Sequence, residues 1–195
     1  MRKEIYIDVE TTGLDKESSA IWQLAGDVVI NNQSKERFDF RIKPHEGFTH
    51  SDIALKMNDL TLDELEEFTP PNIVFAQFEA LLKKYVSPYD KKDKFIFKAY
   101  NAGFDSDFIR AFFKRNGSNY YGSYFWVPPY DIMSVAILAL EDDRPELPNF
   151  KLETVARFLG IKVSSASFHD AEYDIEISRL VDHKAKELIK KRILS

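Results

Sequence analysis

Residues 3 to 10 alternate, with Ile5, Ile7 and Val9 on one face of an extended segment and Tyr6, Asp8 and Glu10 on the other, before a Thr-Thr-Gly turn. This predicts a strand that ends in acids. Ile21 to Ile30 and Glu36 to Ile42 read as two further strands, joined through Asn31-Asn32-Gln33-Ser34 as an antiparallel hairpin. Short helices are expected over Ser51 to Met57 and Thr61 to Phe68, the latter with Thr61 and Glu64 at capping-box spacing. A longer helix follows over Asn72 to Tyr85, then a strand over Phe95 to Tyr100. Helices are predicted at about Asp105 to Arg115, Tyr130 to Leu140, Leu152 to Leu159 and Asp170 to Ile193, with a Gly- and aromatic-rich loop from Asn116 to Pro129. Strands early and helices late imply an α/β fold, a mixed sheet with helices on both faces.

At 195 residues, 44% hydrophobic and 30% charged, the chain has room for one core, and it shows no repeat or linker that would divide it. One domain over 1–195 is expected. With zero cysteines, any metal must be held by oxygen and nitrogen ligands, which favours hard cations such as Mg2+ or Mn2+. Nowhere do about 18 apolar residues run together, and the N-terminus enters a strand at once, so a cytoplasmic protein without a membrane partner is expected. The net charge of −5 argues against a strongly basic nucleic-acid binder. Basic clusters nonetheless occur at Lys91 to Lys98, at Arg110, Lys114 and Arg115, and at Lys184 to Arg192.

Three fragments place acids beside apolar runs. Asp8 and Glu10 leave one face of a strand with Cα atoms about 6.5 to 7 Å apart, close enough to reach one ion. A solvated strand end is the plain alternative. Asp105 opens a helix after a strand, where it is either an N-cap or a ligand, with Asp107 as the competing acid. His169 and Asp174 are five apart, about 140° on a continuous helix, so His169 is expected to precede the helix, with Asp174 one turn inside it. Asp170 is then the natural cap, and Glu172 and Glu176 are surface acids. Four carboxylates and an imidazole converging on two divalent ions would be equipped to hydrolyse a phosphodiester.

Asp8-x-Glu10-Thr11-Thr12-Gly13, Tyr100-Asn101-Ala102-Gly103-Phe104-Asp105 and His169-x4-Asp174 together resemble the DEDDh 3'–5' exonucleases, the family of the polymerase III epsilon subunit and of ribonuclease T. The motifs run in the family's order over most of the chain. The resemblance implies a ribonuclease H-like fold with a mixed five-stranded sheet. It implies Asp8, Glu10, Asp105 and Asp174 as ligands of two Mg2+ or Mn2+ ions and His169 as general base. It further implies that Thr11, Thr12, Gly13 and Asn101 hold the terminal nucleotide and that Leu14 wedges against the last base. Tyr100 stands where many members have His, a position that is not a ligand in the family.

The expected substrate is a single strand of DNA or RNA with a free 3' end, released as nucleoside 5'-monophosphates. Aromatic residues between Tyr120 and Trp126 are candidates for base stacking, with a core role as the competing reading. Two other readings share this sequence: an end-binding or scaffold subunit of a polymerase complex, and a metal-dependent hydrolase of a phosphomonoester or a small nucleotide. A homodimer is a further possible assembly.

Overall fold

The structure is a computed structural model that describes residues 1–57, 60–164 and 170–194. Its centre is a five-stranded mixed sheet in the order β3-β2-β1-β4-β5. The first three strands, β1 (Lys3–Thr11), β2 (Ile21–Ile30) and β3 (Gln33–Arg41), form an antiparallel meander. Both β4 (Ile96–Ala99) and β5 (Tyr130–Asp131) are parallel to β1, as strands reached by crossover must be when the chain returns over a sheet face.

Between the strands lie α1 (Asp52–Met57), α2 (Leu62–Glu66), α3 (Pro71–Tyr85), α4 (Ala102–Arg115) and α5 (Tyr121–Tyr124), and after β5 come α6 (Ile132–Ala139), α7 (Leu152–Phe158) and α8 (Ala171–Leu194). The alternation along β1 sorts them. Ile5, Ile7 and Val9 pack with Val74, Phe78 and Leu82 of α3 and with Phe108, Ile109 and Phe112 of α4. On the opposite face Tyr6, Ala25 and Val29 pack with α6, α7 and α8 through Ile132, Ala136, Val155, Ile175 and Val181. Both faces of β1 are therefore covered, and the polar residues of its second face are drawn into the interior.

Several local expectations shift. The hairpin turns on Asn31 and Asn32 alone, both at positive φ (49° and 68°), so β3 starts at Gln33 and not at Glu36. Two asparagines suit this primed turn because they tolerate the left-handed region. The helix expected from Asn72 starts one residue earlier, at Pro71, where the missing N–H costs nothing. Tyr130 and Asp131 form a two-residue fifth strand beside Lys98 and Ala99, where a helix start was expected. The aromatic loop divides: Tyr121, Tyr124 and Phe125 are core, while Tyr120 and Trp126 are exposed. The capping box at Thr61 and Glu64 is present as expected.

Candidate active site

Asp8 and Glu10 lie on the α8-facing side of β1, the side that also carries Glu4 and Tyr6. The pairing of β1 with β2 slips between Glu10 and Thr11, and the strand leaves the sheet at that irregularity. The turn that follows is tied down by its own threonines. Thr12 donates its hydroxyl to Thr49 O (2.7 Å) and accepts the Ala20 N–H (2.9 Å), while Thr11 Oγ1 donates to Gly13 O (2.7 Å). A Cβ on Gly13 would stand 2.7 Å from Ser19 Oγ, so a side chain there would require the Ser19 hydroxyl to turn away. Anchored this way, the turn holds Leu14 out in solvent at 88% exposure beside the two acids.

Asp105 reaches the same place from the next crossover. The ladder between β1 and β4 is short, covering Glu4 to Tyr6, and beyond it the Val9 amide donates to Asp105 Oδ1 at 3.2 Å. Asp105 is 3% exposed in the first turn of α4, and the residue at the N-cap is Asn101, so the capping alternative does not apply. Asn101 sits in the left-handed region (φ 66°, ψ 48°), which lets α4 start two residues after Tyr100. Asp107 points elsewhere and pairs with Lys16 on the turn. Tyr100, at the position where the family often has His, donates its hydroxyl to Phe150 O (2.7 Å).

Asp174 comes from the first turn of α8, with Asp170 Oδ1 accepting the Tyr173 N–H in front of it. Glu172 and Glu176 are exposed, as expected. His169 lies outside the described residues.

These carboxylates feel one another. Burial pushes Asp8 well above the usual carboxylate range, and Asp105, Glu10, Asp174 and Asp170 each push it further by their negative charge. Burial likewise raises Asp105 to about 8, with Glu10 and Asp131 adding to the rise against the hydrogen bond from Val9. Such crowding is costly for bare carboxylates and favourable once a cation enters. Four gathered oxygen donors in a chain without cysteine suit hard divalent ions. Among the described residues, however, no three acidic or histidine side chains are close enough to hold one ion as they stand. The acids are assembled around the site without being closed on a single centre.

One residue at the site was missed from sequence. Asp131 ends β5, and its Oδ1 accepts the N–H groups of Asn101 (3.0 Å) and Ala102 (3.2 Å) while also capping α6 through Met133 and Ser134. It thus fixes the start of the helix that carries Asp105. An Asp before an apolar run is an N-cap signal, but reading Tyr130 to Leu140 as one helix hid it.

A family model described as Exonuclease (RNase T type) matches residues 5–181. The chain belongs to this exonuclease family. Among curated relatives it is similar to the DNA polymerase III PolC-type of Bacillus cereus, at 27% identity over 98% of this chain and 12% of that protein. It is also similar to ribonuclease T of Actinobacillus pleuropneumoniae, at 28% identity over 57% of this chain and 53% of that protein. The chain therefore spans about one eighth of the first relative and about half of the second. Among solved structures, E. coli Exonuclease I in complex with a dT13 oligonucleotide shares the fold, with a TM-score of 0.73 at 22% identity over 98% of this chain and 43% of that one. Among the described residues, no helix is long and apolar enough to cross a membrane.

Proposed function

We propose that this chain is a metal-dependent 3'–5' exonuclease that removes nucleoside 5'-monophosphates from the 3' end of single-stranded DNA or RNA. The observation that carries the reading is that Asp8 lies within electrostatic reach of Glu10 on the same strand, of Asp105 from α4 and of Asp174 from α8, with the Val9 amide joining Asp105 to β1. Asp8, Glu10, Asp105 and Asp174 would hold two Mg2+ or Mn2+ ions, which supply a more acidic attacking water and neutralise charge on the phosphoryl oxygens. His169, five residues before Asp174, takes the proton of that water; an imidazole with an ordinary pKa near 6.5 is suited to this. Thr11, Thr12 and Gly13 would present the turn to the terminal nucleotide, and Asn101, at the start of α4, would contact it as well. Leu14, held out in solvent by this turn, would wedge against the last base and favour an end over an interior bond.

The test is hydrolysis of oligonucleotides labelled at either end, DNA and RNA in parallel, with Mg2+, with Mn2+ and with EDTA. Mononucleotides lost stepwise from the 3' end, and only with metal, are expected. Internal cuts, or hydrolysis of a chromogenic phosphomonoester in preference to strands, would count against it. The PolC-type relatives favour a second component, in which the chain acts beside a polymerase. Retention of the activity by the isolated chain separates an enzyme from a purely scaffolding subunit.

A further inference from the structure

On the same sheet face as the acids, but toward the start of β1, lies a cleft of about 680 Å³ between the middle of α8 and strands β1 to β3. Its lining differs in sign from the acidic site. Lys98 is only 1% exposed at the floor, within 2.6 Å of Glu4 and 2.8 Å of Asp182, with the Tyr6 and Tyr130 rings on either side. Lys186 shares Asp182 (2.7 Å), and Arg2 shares Glu4 (2.7 Å). Arg179 and Arg37 both turn to buried Asp27, Arg179 in direct contact and Arg37 at 3.8 Å.

Three carboxylates, Glu4, Asp27 and Asp182, thus serve five cations, Arg2, Arg37, Lys98, Arg179 and Lys186, an excess of two positive charges. Burial, with Lys98 adding to it, holds Lys186 below its ordinary pKa against its bond to Asp182, while against burial Tyr6, Asp182 and Glu4 hold Lys98 above its own. At the mouth, Lys190 adds a cation, and Glu176 and Glu187 add acids. Those acids are exposed, as are Arg2, Arg37 and Lys190, so water screens both signs at the rim and the cleft as a whole keeps a small positive excess; Glu187 lies 3.2 Å from His183. The buried charges at the floor are Lys98 against Glu4, Asp27 and Asp182, so the surplus cation charge sits nearer the mouth, on Arg2, Arg37, Arg179 and Lys186, within reach of an anion from solvent. In a chain of net charge −5 this concentration of cations is local.

We propose that this cleft is a second binding site, separate from the acidic one, for an anion that carries two or more phosphate charges. The guanidinium of Arg37 is half exposed and holds Asp27 only at long range, which leaves its fork for a phosphate at the mouth, with Lys190 one turn of α8 beyond Lys186. The ligand's phosphates come either from a free nucleotide or from the backbone of a strand. Because α8 carries both Asp174 and the cleft's Arg179, Asp182 and Lys186, occupancy would bear on the helix that supplies one of the acids.

The test is calorimetric titration of pyrophosphate and of ATP into the full chain in EDTA, where no divalent metal can recruit phosphate to the acidic site. Saturable binding of one equivalent is expected. It should weaken about tenfold or more in the double variant Arg37→Gln/Lys190→Gln, whose positions lie on exposed surface, and should be unchanged in Asp8→Asn. No saturable binding to the parent chain, or equal binding to the double variant, would overturn the site. Competition by a dT oligonucleotide assigns the phosphates to a strand, and its absence assigns them to a free nucleotide. None of these readouts involves hydrolysis, so the cleft can fail while the proposed activity stands, and the reverse.

Discussion

The carboxylate of Asp105 accepts the backbone N–H of Val9 at 3.2 Å, between the two acids that β1 contributes to the site. A single bond thereby joins the helix after β4 to the central strand and sets Asp105 against Asp8 and Glu10. The bond offsets only part of the cost of placing an acid there, because burial dominates and leaves the group protonated up to about pH 8.

An amide in place of the Asp105 carboxyl is neutral in both the folded and unfolded states and avoids the cost of protonating the carboxylate on folding. Asp105→Asn keeps an oxygen for the Val9 amide, so the metal-free variant should melt about 3–8 °C above the parent at neutral pH. Its hydrolysis should drop by more than the ~10–100-fold typical of losing an outer partner of a metal site. Differential scanning calorimetry in EDTA and a nuclease assay in Mg2+ check the two halves.

The pH dependence follows with a definite sign. Asp105 has a folded pKa of about 8, above its unfolded value near 3.9, so the folded state binds more protons between those limits. Stability of the metal-free protein should therefore fall as pH rises from about 4 to about 8, and Asp8, raised by the same causes, adds to the fall. Acids held low, such as Asp182, act in the opposite sense and below that window. Melting curves at pH 5 to 8 should show the decline in EDTA, and 5 mM-scale Mg2+, on the order of ordinary assay levels, should flatten it.

Leu14 contributes nothing to the core at 88% exposure, so Leu14→Ala should change stability by no more than about 0.5 kcal/mol. If it packs on the terminal base, KM for single strands should rise about tenfold, the equivalent of losing most of one buried Leu contact. Steady-state kinetics alongside a melting curve separate the two effects.

Asp131 ties β5, α4 and α6 through one carboxylate. Asp131→Ala removes a helix cap and leaves the Asn101 and Ala102 amides without their acceptor, and should cost about 2–4 kcal/mol. Urea unfolding measures it. Asp131→Asn, which retains an acceptor oxygen, should recover at least half of the loss.

Much of this was legible because period and chemistry coincided. β1 and β2 were readable from their apolar runs, and the three acidic fragments from acids set against such runs, where an unpaired charge needs a reason. The start of α4 was not readable, since it depends on Asn101 adopting the left-handed region, a state that Asn permits but does not announce. β5 was hidden for a different reason: two residues have no period, and Tyr130 and Asp131 are a strand only because Lys98 and Ala99 lie beside them. The cationic cleft was equally invisible, because Arg2, Arg37 and Lys186 are far apart in the chain and their grouping is a property of the sheet.

β1 pairs with β2 from Lys3 to Thr11 and with β4 only from Glu4 to Tyr6. Asp8 and Glu10 therefore ride on a strand held by the β2 ladder, whereas Asp105 and Asp174 arrive on helices that rest on the sheet from outside. If spacing within the quartet is ever adjusted, as a substrate arrives or departs, the adjustment belongs to the two helical acids, with the strand pair as the fixed datum against which they move.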